Sequence, residues 1–136
     1  MELLDAMTQA AKGIKAQGVR MRVISENMAN SDATADTADQ DPYRRKIVNF
    51  KSVLDKVTGQ RTIEVDRIVP DRSEFVLKHE PGHPAADKNG YVKTPNVNPM
   101  VEMMDMREAQ RSYEANLGVI DIAKSMLMRT LDLLSR

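Results

Sequence analysis

The chain of 136 residues contains no cysteine and no tryptophan, and only 4% of it is aromatic. Without cysteine there can be no disulfide framework and no thiolate-ligated metal. The scarcity of rings argues against a large globular core, because aromatic side chains dominate the buried area of one. An excess of one charge is also missing: 20 Lys and Arg balance 20 Asp and Glu, for a formal net charge of zero. Such a balance supplies no overall pull toward nucleic acid or an anionic membrane. No apolar run is long enough to cross a bilayer. The opening stretch MELLDAMTQAAKGIK is amphipathic and begins acidic. It lacks the basic n-region and continuous apolar h-region of a cleaved signal peptide. On composition alone the expected location is the cytosol.

Proline is present but confined. All six prolines lie between Pro42 and Pro99. Because proline breaks helices, this divides the chain into a helix (1–30), a flexible connector (31–42), a small β unit (43–97) and a second helix (98–136). The expected fold class is α+β, with long N- and C-terminal helices packed as a coiled-coil-like pair and a small β unit inserted between them.

In the first helix Leu3, Met7, Ala10, Ile14, Met21, Ile24 and Met28 recur at spacings of four and three, with Gln17 at the one missing position. This is a heptad seam on a helix about 42 Å long. Gly13 and Gly18 lie inside it, each less favourable than alanine by about 1 kcal/mol. Either they are simply tolerated, or another helix approaches closely there. In the second helix Asn98 suits the N-cap and Pro99 the first helical position. Its seam runs Met103, Met106, Gln110, Tyr113, Leu117, Ile120, Lys124, Leu127, Leu131 and Leu134 over a length of about 55 Å. Val119, Ile122, Met126 and Met128 lie off that seam, so the helix is apolar on more than one face. It therefore calls for more neighbours than one N-terminal helix can provide. The ten methionines suit either irregular core filling or an exchangeable contact surface.

Between the helices, SDATADTADQD (31–41) holds nothing apolar larger than alanine and reads as a flexible connector. Its aspartates lack the glycine and closing glutamate of an EF-hand loop. YRRKIVNF, RTIEVDRIV and EFVLKHE are short β-like runs. Asn89-Gly90 is a two-residue hairpin signal. Three or four strands are expected, too few to be very stable alone. His79, His83 and Asp87 stand four apart, a zinc-like set if they shared a helix face. Pro81, Gly82 and Pro84 deny them that helix, so no metal site is expected. A Ser-His-Asp arrangement would have to use one of these two histidines, and no nucleophile motif accompanies them. No glycine-rich phosphate loop occurs. Arg44, Arg45 and Lys46 read as a solvated strand edge, because nucleic-acid binding needs aromatic partners.

Several strings resemble a known family. SENMANS (25–31) is similar to the S-x-N-x-A-N segment of flagellar rod and hook proteins. PGHPAADKNGYVKTPNVN (81–98) resembles the central signature of the proximal-rod members of that family. PYRRK (42–46) and EMMDMREAQRSYEAN (102–116) sit where those members have similar strings, so the likeness covers nearly the whole chain. One departure is SDATADTADQD, which lacks the glycines often found before PYRRK. The resemblance implies a structural, non-enzymatic subunit of the basal-body rod. It further implies export without a cleaved signal peptide, a periplasmic rod location and no cofactor. The implied partners are further copies, other rod proteins, and the membrane ring and export apparatus at the rod base. Nucleic acid and small-molecule substrates are not among them. The cytosolic expectation then gives way. Asn27, Asn30, Tyr113 and Asn116 are the expected inter-helix or inter-subunit contacts, fixing register as a buried asparagine does in a coiled coil. Leu117, Ile120, Met126, Leu127 and Leu131 complete the expected subunit interface. Without the resemblance, a cytosolic coiled-coil adaptor would be favoured, ahead of a metal enzyme using His79, His83 and Asp87.

Overall fold

The computed structural model describes residues 2–135. The element order is α1 (Glu2–Ala29), β1 (Lys46–Leu54), β2 (Arg61–Pro70), β3 (Val76–His79), β4 (Tyr91–Thr94) and α2 (Pro99–Leu134). The fold class is α+β, as expected. The strands form two separate two-stranded sheets, β1-β2 and β3-β4.

Both helices are terminated by side chains. Glu2 and Asp5 place negative charge in the first turn of α1, where the helix dipole favours it. At the other end Asn30 Nδ2 donates to the Glu26 carbonyl and Ser31 Oγ to that of Met28. These bonds satisfy carbonyls that a helix end leaves unpaired. At the start of α2, Asn98 Oδ1 accepts from the Met100 and Val101 N–H groups. Pro99, with no N–H to satisfy, follows it.

The chain folds as two compact units. One comprises residues 1–21, 49–67 and 107–136; the other comprises residues 22–48 and 68–106. In the first, α1 and α2 run antiparallel. Gly13 lies against Asn116, where an added Cβ would meet Asn116 Nδ2 at 2.7 Å. Arg20 Nη2 donates to Glu108 Oε2 at 3.4 Å. The buried apolar residues of this unit are small: Ala10, Ala16, Ala109 and Ala123. The β1-β2 hairpin turns on Asp55, whose N–H donates to the Gln60 carbonyl and whose Oδ1 accepts from Val57 N–H. Gly59 completes the turn at φ +71°, a conformation that favours glycine. Lys12 Nζ donates to Asp55 Oδ2 at 3.3 Å and Gln9 Nε2 to Gln60 Oε1 at 3.0 Å, holding the hairpin along α1.

The second unit has the larger buried side chains: Val23, Ile24, Val92, Pro95 and Val97, together with Asn27 and Glu102. β3 and β4 pair antiparallel, Val76 opposite Thr94 and His79 opposite Tyr91. Asn89-Gly90 is not the two-residue loop between these strands. Pro81 and Pro84 interrupt the chain after His79, so the connection spans residues 80–90. Asn89-Gly90 instead closes a tight turn on Asp87, whose carbonyl accepts from Gly90 N–H and whose Oδ1 accepts from Asn89 and Tyr91 N–H. Gly90 sits at φ +82°.

The α2 seam also differs from the expected one. Met106, Tyr113, Ile120 and Leu127 are part-buried, but Met103, Gln110, Leu117, Lys124, Leu131 and Leu134 are exposed. The inward positions between them are shifted by one residue, to Glu102, Ala109, Asn116 and Ala123. Glu102 and Ala109 are 1% and 0% exposed. The 3–4 spacing is preserved. What selects the inward residues is small size beside Gly13 and polar pairing beside Asn27, rather than apolarity.

Candidate functional site

The most heavily buried polar side chains of the second unit form one knot. Asn27, in the last turn of α1, is 1% exposed. Its Nδ2 donates to the Lys46 carbonyl at 2.9 Å and to Glu102 Oε2 at 3.2 Å. Its Oδ1 accepts from Tyr43 Oη and from Lys46 N–H, both at 2.9 Å. The four hydrogen-bonding positions of the amide are thus filled. Glu102, in the first turn of α2, accepts from Arg45 Nε on its other oxygen. Arg45 also pairs with Asp71 at 3.3 Å and with Asp105 at 3.6 Å. Asn96 ties the rim: its Oδ1 accepts from Arg45 N–H, and its Nδ2 donates to the Asp71 and Ser73 carbonyls. The Arg44 guanidinium lies 4.1 Å from the centre of the Phe75 ring, a cation–π contact.

The electrostatics follow from these contacts. Burial alone would lower the Arg45 pKa, but hydrogen bonding and charge from Glu102 and Asp71 outweigh it, so the guanidinium is held still more firmly protonated. The Ser73 backbone N–H, and after it Arg45, hold the Asp71 carboxyl below its usual range. Burial pushes the Tyr43 phenol up, against an opposing pull from Lys46. A buried carboxylate is tolerated only when its lone pairs are satisfied, and here both Glu102 oxygens have partners. The knot fixes the end of α1, the start of α2 and the PYRRK strand relative to one another within this unit.

The histidines are engaged elsewhere. His79 packs edge-on against Tyr91, with ring centres 5.0 Å apart. His83 Nδ1 accepts from Ala85 N–H, and Asp87 caps the turn described above. Among the described residues no three His, Cys, Asp or Glu side chains are grouped to hold a metal.

The second feature is the outer surface of α2. Met126 is 52% and Leu131 61% exposed, and Leu117, Val119, Ile122 and Met128 are exposed as well. Near the start of the helix Met100, Val101, Met103 and Met104 form a further exposed apolar run. Of the expected contact residues, Asn27 lies at an inter-helix contact inside the chain. Asn116 lies at another, bonded to the Ser112 carbonyl. Asn30 caps α1. Tyr113, Ile120 and Leu127 are part-buried, while Leu117, Met126 and Leu131 face outward. Tyr43, Arg45, Asp71, Asn96 and Glu102 were not anticipated as a group. Glu102 falls one residue before Met103, off the expected seam, and nothing in that seam pointed to it.

Comparison with known proteins places the chain in a family. A family model described as the C-terminal region of the flagellar basal body rod FlgEFG proteins matches residues 88–133. Residues 88–133 are thus similar to the C-terminal region of the flagellar basal-body rod class of proteins. The chain is 50% identical over 135 residues to the flagellar basal-body rod protein FlgC of Agrobacterium fabrum, covering 98% of this chain and 97% of that one. It is 40% identical to FlgC of Salmonella typhimurium, covering 98% of each chain. It is 36% identical to FlgC of Bacillus subtilis, covering 98% and 99%. The chain belongs to the FlgC family of flagellar basal-body rod proteins.

Proposed function

We propose that this chain is a structural subunit of the flagellar basal-body rod, built into its proximal, periplasmic part through its terminal helices and without a catalytic role. The observation that carries the reading is likeness over almost the full length of chains named as basal-body rod proteins. The exposed apolar residues on more than one face of α2 support it, since apolar surface of this extent marks a site for other chains. The partners are further copies of this chain and other rod proteins, with the membrane ring and export apparatus at the rod base. The chain reaches the periplasm through that apparatus without a cleaved signal peptide.

Complementation of a strain lacking the protein tests this. Met126 faces outward and Leu127 is part-buried, so a helix enclosed by neighbouring subunits makes both positions matter. Burying an unpaired carboxylate costs several kcal/mol, and a polymer repeats that cost at every subunit. Met126→Asp and Leu127→Asp should each abolish swimming while periplasmic export persists, and Lys88→Ala should be tolerated. Normal swimming with both aspartate variants would refute enclosure by several subunits. Retention of the wild-type chain in the cytosol would instead favour a coiled-coil adaptor.

A further inference from the structure

His83 sits half-buried in the connection between β3 and β4. Backbone bonds fold that connection around it: His83 N–H donates to the Glu80 carbonyl, and Ala86 N–H donates to the His83 carbonyl. Its ring bridges two segments far apart in the sequence. Nδ1 accepts from Ala85 N–H at 3.0 Å, and Nε2 lies 3.4 Å from Thr34 Oγ1 in the connector. An N–H aimed at Nδ1 fixes the neutral tautomer with its proton on Nε2. Nε2 therefore donates to Thr34. Among the described residues, this contact and the Asp41–Lys93 pair at 3.2 Å are the side-chain ties that hold residues 34–41 to the rest of the second unit.

The arrangement suits only a neutral ring. Protonation puts a hydrogen on both nitrogens, so a new N–H at Nδ1 meets the Ala85 N–H head on. The imidazole is a rigid plane, and turning Nδ1 away from Ala85 carries Nε2 away from Thr34. An acceptor stands close by on the same loop. The Glu80 carboxyl is held below its usual range first by Lys78, whose ammonium lies 2.7 Å away, and in smaller part by charge on His83. The other charged groups around the site are Lys78 on β3 and, acting on it from the connector, Asp32. Asp87 is occupied by the Asn89 and Tyr91 N–H groups. The knot keeps its charges through the histidine range, because Arg45 is held more firmly protonated and Asp71 more firmly ionised.

We propose that His83 is a proton-operated latch between the connector and the 80–90 loop, closed on Ala85 and Thr34 when neutral and released toward Glu80 when charged. The inference stands apart from the rod reading above and needs only the folded chain.

Histidine is the side chain that ordinarily changes charge between pH 5 and pH 8, and the chain has two, His79 and His83. NMR of the purified full chain at those two pH values is the test. At pH 8 the ring-nitrogen shifts of His83 should report a proton on Nε2 alone. Protection of the Ala85 amide against hydrogen exchange, corrected for the intrinsic rate, should be about fivefold lower at pH 5. Amide order parameters over 34–37 should fall with it. In His83→Asn the side-chain oxygen can accept from the same N–H two residues on but does not titrate, so Ala85 protection should be equal at both pH values. Thr34→Val should loosen 34–37 at pH 8 and leave Ala85 protected. His79→Asn should respond to pH as the wild type does. Equal Ala85 protection at both pH values in the wild type overturns the latch. So does a response that survives in His83→Asn or is lost in His79→Asn, or a neutral ring with its proton on Nδ1. Unchanged order over 34–37 at pH 5 overturns the tie to the connector.

Discussion

Replacing Asn27 by leucine removes four hydrogen bonds without leaving a large void. Three of the lost partners are the Lys46 N–H, the Lys46 carbonyl and the Tyr43 hydroxyl; the fourth is the Glu102 carboxylate. Neutral hydrogen bonds contribute about 0.5–1.5 kcal/mol each and bonds to a charged group about 1.5–3 kcal/mol. The gross loss is therefore roughly 5 kcal/mol. Burying leucine in place of the amide returns about 2 kcal/mol, which leaves a net destabilisation of about 3 kcal/mol. Against a usual total of about 5–15 kcal/mol, that is a large fraction. Urea unfolding followed by far-UV circular dichroism measures it as a fall in midpoint at unchanged slope. Asn30→Leu is the control: its amide bonds only the Glu26 carbonyl within its own helix, so its loss should stay within about 1 kcal/mol. Should Asn27→Leu match the wild type within 1 kcal/mol, or should the two variants be equally impaired, the knot does not hold the unit together.

Three further outcomes follow from the same geometry. Gly18→Ala should stabilise α1 by up to about 1 kcal/mol through helix propensity, since no group outside its own stretch of helix lies within 4 Å of the new Cβ among the described residues. Gly13→Ala should forfeit that gain by displacing Asn116, and Asn116→Ala should restore it. A double-mutant cycle should give a coupling of about 1 kcal/mol, and strict additivity would contradict the close approach. Acid should destabilise the second unit through Asp71. Because its native pKa is depressed, its contribution is intact above the unfolded value of about 3.9 and disappears as pH falls through the lower native value. The acid limb of a stability profile should therefore be shallower in Asp71→Asn, and an identical limb would refute this.

The sequence made the architecture legible because proline placement and apolar spacing act locally. Confinement of proline to 42–99 marked both helices, and Asn98-Pro99 marked the start of α2. The face of α2 was harder to read. Counting apolar residues favoured Met103 and Leu117, whereas the pair packs on Ala109, Asn116 and Ala123. Helix approach at Gly13 depends on the size of the facing residue, which lies about a hundred positions away along the chain. Gly13 and Gly18 are identical to any local reading, yet of the two only Gly13 meets another helix among the described residues. The knot was hidden for the same reason. Asn27 was expected at an inter-helix contact, but Arg45, Asp71, Asn96 and Glu102 are unremarkable surface types until distant segments bring them together. The strings that carried the family resemblance, SENMANS, PYRRK and the run ending in PNVN, supply Asn27, Tyr43, Arg45 and Asn96.

The knot also has a mechanical meaning. Apolar side chains packed ridge into groove are nearly indifferent to a step of one helical turn, about 5.4 Å, and such steps occur when packed elements slide. An amide with four directional partners has no equivalent position one turn away. Sliding α1 along α2 within this unit would have to break the Asn27 bonds and strand a buried carboxylate at the same moment. A subunit of a rotating shaft is loaded in shear, along its helices and across them. In such a part Asn27 and Glu102 act as a dowel, a small rigid pin that blocks slip where greasy surfaces alone would creep.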